Sequence, residues 1–125
     1  MITEDYVSFE TAKLLKENGF DVYVRSFYDA DDMSAQHNEA LWNWNLNKEN
    51  YRFSAPTIQM TMKWLREMHN RYVEICIDKA HNFKDIVFRP AIYDKSLDCL
   101  WESDNFPTYE EACEAAIKYC LENLI

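Results

Sequence analysis

One glycine, Gly19, serves a chain of 125 residues, where average usage would supply about nine. That scarcity excludes whole classes of chemistry. Walker loops, dinucleotide fingerprints and G-x-S-x-G elbows all need several glycines, where backbone approaches a ligand or turns sharply. The chain is nevertheless a folding sequence. Hydrophobic residues make up 48% and aromatics 15% of it, far above the range of intrinsic disorder.

The glycine also marks the end of the first predicted helix, residues 8–18. Ser8 is placed as N-cap, Glu10 lies in the first turn, and Gly19 follows where a left-handed residue closes a helix. Residues 21–28 (Asp-Val-Tyr-Val-Arg-Ser-Phe-Tyr) are β-branched and aromatic and read as a strand. The polar run 29–39 reads as a loop. Over 40–54, Trp42, Trp44 and Leu46 alternate with Asn43, Asn45 and Asn47, and Tyr51 and Phe53 alternate again. This segment reads as a small hairpin or irregular structure.

A second helix is expected over 55–69, entered through Pro56, with Ser54 or Thr57 as cap. Ile58, Met62, Leu65, Met68 and Tyr72 form its stripe, widened by Met60 and Trp64. Strands follow at 72–78 and 85–93. Pro90 argues for an edge position or a bulge in the second of these. A short strand is expected at 97–102. The last helix, 109–123, begins with Thr108 and Glu111 in capping-box spacing. Tyr109, Ala112, Cys113, Ala116, Ile117, Cys120, Leu121 and Leu124 give it one continuous apolar face. No linker rich in Pro, Gly or Ser divides the chain. The expectation is one α+β domain over 1–125: three helices and an antiparallel sheet of three to four strands, in the order αβ-(insert)-αββ(β)α.

Thirteen Lys and Arg face 22 Asp and Glu, a formal charge of −9. Binding to phosphate backbones depends on cationic side chains displacing counterions, so nucleic acid and anionic lipid are not expected partners. Cys76, Cys99, Cys113 and Cys120 form no C-x-x-C pair. They are expected to be free, reduced and mostly buried. The opening Met-Ile-Thr-Glu-Asp lacks the basic and apolar regions of a signal peptide, and no apolar run reaches the ~18–20 residues of a membrane span. The expected location is the cytoplasm.

The segment APTIQMTMKWLRE (Ala55, Pro56, Thr57, then Trp64, Leu65, Arg66, Glu67) resembles small hypothetical proteins of gut bacteria and their phages or prophages. So does the tail that opens Tyr109-Glu110-Glu111-Ala112, and VSFETAKLLKENGF looks similar as well. The resemblance covers most of the chain except about 29–50. It implies a shared fold. The matching residues are caps and core positions, and it brings no reaction, cofactor or site residue.

Candidate chemistry is sparse. Asp29, Asp31 and Asp32 suggest a calcium loop, but Ser34 and Ala40 stand where the template requires Gly and Glu. His37, His69 and His81 are scattered, and none falls in metal-ligand spacing. No cofactor or metal is expected. A Cys–His pair could be assembled only in space, from Cys76 or Cys99 with His69 or His81. The aromatic group Trp42, Trp44, Tyr51 and Phe53 is the candidate partner surface, because Trp and Tyr dominate interface hot spots; its alternative is a satellite core. The expected function is protein–protein binding or self-association without catalysis. The rivals are an acidic mimic of nucleic acid that blocks a host DNA-binding or defence protein, and an enzyme of unfamiliar type.

Overall fold

The computed structural model describes residues 2–46 and 51–125. Among these described residues are three α-helices and two three-stranded antiparallel sheets, so the α+β class stands. The chain gathers into two compact units, Met1–Ile58 and Gln59–Ile125. Among the described residues no helix is long and apolar enough to cross a membrane.

The first unit holds α1 (Phe9–Glu17), β1 (Val24–Asp29), β2 (Ala35–Trp42) and β3 (Arg52–Ser54). Ser8 caps α1 by accepting from the Thr11 N–H at 3.2 Å. The helix ends as its sequence demands. Gly19 takes φ +81°, its N–H reaches the Lys16 carbonyl, and Phe20 N–H returns to Leu15 at 3.0 Å. This is the Schellman pattern, and it drives Phe20 into the core, 1% exposed.

The sheet order is β2-β1-β3, with β1 in the middle. This corrects the expected hairpin over 40–54, because β2 and β3 each pair with β1 and not with one another. It also corrects the expected loop over 29–39. Only the turn is loop: Met33 N–H bonds to Asp29 at 3.0 Å, Met33 takes φ +55°, and Asp32 accepts from Ser34 N–H. From Ala35 onward the chain is an edge strand exposed nearly throughout. A strand with no buried face leaves no apolar alternation to read. Asn47, the last of the alternating asparagines, and its neighbours 48–50 lie outside the described residues.

Helix α2 (Ile58–His69) starts later than the expected 55. The backbone of 55–57 is already engaged: Ala55 N–H bonds to Ser26, Pro56 accepts from Val7, and Thr57 bridges Tyr6. Ile58, Thr61, Met62, Trp64 and Leu65 are buried, whereas Met60 and Met68, assigned to the stripe from sequence, are exposed.

The second sheet orders β4 (Tyr72–Lys79), β5 (Ile86–Tyr93) and β6 (Cys99–Glu102) in sequence. Helix α3 (Tyr109–Asn123) packs on β4 and β5. Cross-strand partners share a face, so Val73, Ile75 and Ile77 line up with Ile92, Pro90 and Phe88, and Trp101 joins Ile92. This is the face α3 covers. Trp101 stacks on Tyr119 at 4.7 Å and Phe88 meets Tyr109 edge-on. The other face carries Glu74, Cys76, Asp78, Arg89 and Glu102. Thr108 caps α3 through the Glu111 N–H at 3.1 Å.

Pro90 corrects its own prediction. It sits in the central strand, opposite Ile75. Phe88 exchanges both backbone bonds with Phe106, and Pro90 accepts from Ser103. Pro90 therefore turns its backbone toward the β6 side. The N–H it lacks would point toward Ser103, just past the last residue of β6, so the missing donor falls at the end of the regular β5–β6 ladder.

Candidate functional site

The four predicted surface aromatics do not form one patch. Phe53 is 3% exposed and lies under α1, its ring 5.5 Å from Phe9 and edge-on to it. Tyr28, its cross-strand partner, meets Phe9 in the same way at 5.6 Å. Trp44 packs on Phe27 at 4.2 Å, on the opposite face of the sheet. These two are core.

Trp44 is held there by the asparagines beside it. Asn43 is buried and accepts from Asn45 N–H, bending the chain into the 3₁₀ turn Trp44–Leu46. Asn45 then clamps two elements: its Oδ1 accepts from Ser54 N–H and its Nδ2 donates to the Phe20 carbonyl, both at 2.9 Å. Trp44 Nε1 donates to Val24. The alternation in sequence resembles a strand, but short amide side chains that bond to backbone compete with ladder pairing, and here they prevail.

Trp42 and Tyr51 remain outside. Trp42, at the end of β2 opposite Val24, is 50% exposed, and Tyr51 is 42% exposed. They stand on opposite edges of the sheet, since β2 and β3 flank β1. Trp42 has an aromatic partner that sequence reasoning passed over: Tyr23, 56% exposed, with ring centroids 6.1 Å apart. Leu41, next in the chain, is exposed as well. By β propensity Tyr23 reads only as part of a strand, and it is the pairing of β1 with β2 that brings it beside Trp42.

Arg52 occupies the Trp44 face. Its guanidinium lies 4.9 Å from the Phe27 ring centroid and its Nε is 3.4 Å from Asp29 Oδ1. The geometry misses a hydrogen bond, and both atoms are shielded from solvent, so the two groups meet as an ion pair without a hydrogen bond. On the α1 side a shallow groove is lined by Phe9, Lys13, Lys16, Glu17, Ala30 and Phe53. Lys16 lies over Phe53 at 4.9 Å and donates to the Arg52 carbonyl at 3.1 Å. Burial lowers its pKa from the usual lysine value.

A serine and a histidine also meet. Ser26 Oγ and His37 Nδ1 are 2.5 Å apart across β1 and β2, with the Tyr6 ring 5.1 Å from the imidazole. Ser26 is 2% exposed, so a substrate carbonyl could not approach its hydroxyl. The contact satisfies a buried polar group.

Among the thiols, Cys113 and Cys120 are buried on the inner face of α3, as expected, but Cys76 is half-buried and Cys99 exposed. Burial pushes the Cys113 and Cys120 thiols up to about 11, which leaves them protonated and unreactive near neutrality. Cys76 Sγ lies 3.8 Å from Glu74, and Cys99 Sγ lies 3.5 Å from the Trp101 carbonyl. His69 is edge-on to Trp64 at 4.7 Å, and His81 sits exposed in the turn between β4 and β5. Among the described residues no three His, Cys, Asp or Glu side chains gather as metal ligands would. On the polar face of the second sheet, Arg89 pairs with Asp78 at 3.7 Å and breaks the row of carboxylates. Loss of solvent raises the Tyr93 phenol pKa, and Cys99, Glu74, Cys76 and Glu102 around it add to the shift.

Comparison of the chain with protein-family models, with curated proteins and with solved structures gave no match.

Proposed function

We propose that this is a small cytoplasmic protein of phage or mobile-element type that acts by binding another protein and not by catalysis. The Tyr23–Trp42 pair is the centre of its binding surface. One observation carries the reading: two large aromatic rings, each about half exposed, stand together, and Trp42 ends a strand that is itself open to solvent. Tyr and Trp bring large contact area at low entropic cost and are enriched at the centres of interfaces. The partner this surface fits presents an apolar pocket or a planar side chain.

Affinity capture from the native host tests the proposal, with the tagged chain run beside a Tyr23→Ala/Trp42→Ala variant. A protein recovered by the first and lost by the second supports it. Equal recovery by both contradicts it, provided the variant keeps its circular dichroism spectrum.

A further inference from the structure

Open sheet edges invite pairing with other strands, and proteins blunt them by shortness, bulges or proline. Among the described residues three of the four edges are blunted. The β2 register shifts between Val24 and Ser26, β3 has three residues, and β6 has four with a shift at Ile92/Tyr93. The fourth, β4, runs eight residues in unbroken register with β5 and carries no proline.

Its outward groups follow from the ladder. Phe88 gives both its backbone bonds to Phe106. Hydrogen-bonding direction alternates along an antiparallel strand, so Phe88, Pro90 and Ile92 all turn toward β6. Their partners Ile77, Ile75 and Val73 therefore turn their N–H and C=O groups away from β5, to the open side. Ile77 is 70% exposed.

We propose that β4 pairs antiparallel with β4 of a second copy of this chain, centred on Ile75, making one continuous six-stranded sheet. The strand's own sequence selects this occupant and this register. Centred on Ile75, Val73 stands opposite the partner's Ile77, Glu74 opposite Cys76, and Tyr72 opposite Asp78, so no acid meets an acid. A register of equal overlap centred on Cys76 sets Glu74 against Asp78 twice, and one centred on Glu74 sets it against itself. Like charges directly opposite are destabilising. The pairing covers the exposed Ile77 and extends the apolar face of the sheet. It is isologous, the commonest symmetry of soluble oligomers. Because each copy carries −9, association tightens as salt screens the repulsion.

Sedimentation velocity of the unaltered chain tests this directly. The expected result is a monomer–dimer equilibrium that shifts toward dimer with concentration and with added salt. Ile77→Lys, on a side chain already exposed, weakens it at least about tenfold by the same device natural edges use. The register is read by Glu74→Cys in a Cys99→Ser background. Residues 74 and 76 would face each other as a non-hydrogen-bonded pair about 4.5 Å apart between α-carbons, within disulfide range. Added diamide takes two electrons and two protons from the facing thiols, and peptide mapping should find residue 74 joined to Cys76. A chain that stays monomeric at about 100 µM, far above the dissociation constants of stable interfaces, overturns the proposal. So does a dimer indifferent to Ile77→Lys, or one cross-linked 74 to 74 or 76 to 76.

Discussion

Asn45 is one residue doing the work of a longer connection. Its side chain satisfies Ser54 N–H and the Phe20 carbonyl, and both of those residues are almost fully buried. Asn45→Ala would strand a donor and an acceptor out of water, at about 1–3 kcal/mol for each such group. The urea midpoint should fall accordingly. Asn45→Asp keeps the acceptor for Ser54 and loses the donor to Phe20, so it should fall between Asn45→Ala and the parent at neutral pH. The buried thiols make a second case. Cys113 and Cys120 are raised from 9.0 to about 11 in the folded chain. Between those values the folded state holds protons that the unfolded state has released. Stability from these thiols is therefore full below about pH 9 and is lost as pH rises toward 11. A Cys113→Ala/Cys120→Ala variant should show a shallower fall in urea midpoint over that window. Timed alkylation at pH 8 should label Cys99 first and Cys113 and Cys120 last.

Helix α3 is the element whose sequence and structure agree most closely. Six residues of its predicted face are buried: Ala112, Cys113, Ala116, Ile117, Cys120 and Leu121. Ile117→Ala or Leu121→Ala should cost roughly 2–4 kcal/mol through lost burial and the cavity left behind. Glu122→Ala, on the exposed face, should cost under about 0.5 kcal/mol. Equal losses measured in urea would mean the faces are reversed. The legibility of the other elements follows the same physics. The ends of α1 and α3 could be read because Ser8, Gly19 and Thr108 act locally. The strands β4 and β5 could be read because one side of each is covered and alternates. Strand β2 could not, since burial never patterned it. Nor could the Asn43–Asn45 turn, where side-chain bonds to distant backbone overrule a period of two. In the candidate site the two readings of the aromatic group, surface and satellite core, divide between its members: Trp42 and Tyr51 are exposed, Phe53 is buried and Trp44 half-buried. Tyr23 joins Trp42 only through strand pairing, which no local pattern encodes.

For the whole molecule, two small units each close their own sheet around their own aromatic and aliphatic core, and what is left outside is informative. Acidic side chains dominate the surface, as the charge of −9 requires, so exposed aromatic pairs stand out against it. The account rests on Tyr23 and Trp42 acting as the anchor of a protein interface. The most direct test is calorimetric titration of the partner recovered by capture, purified, against single variants of the folded chain. Trp42→Ala should weaken binding about thirtyfold or more, the loss of a hot spot worth about 2 kcal/mol. Tyr51→Ala, equally aromatic and exposed but on the far edge of the sheet, should change it by less than about threefold. A Trp42→Ala chain that binds as tightly as the parent would contradict the account.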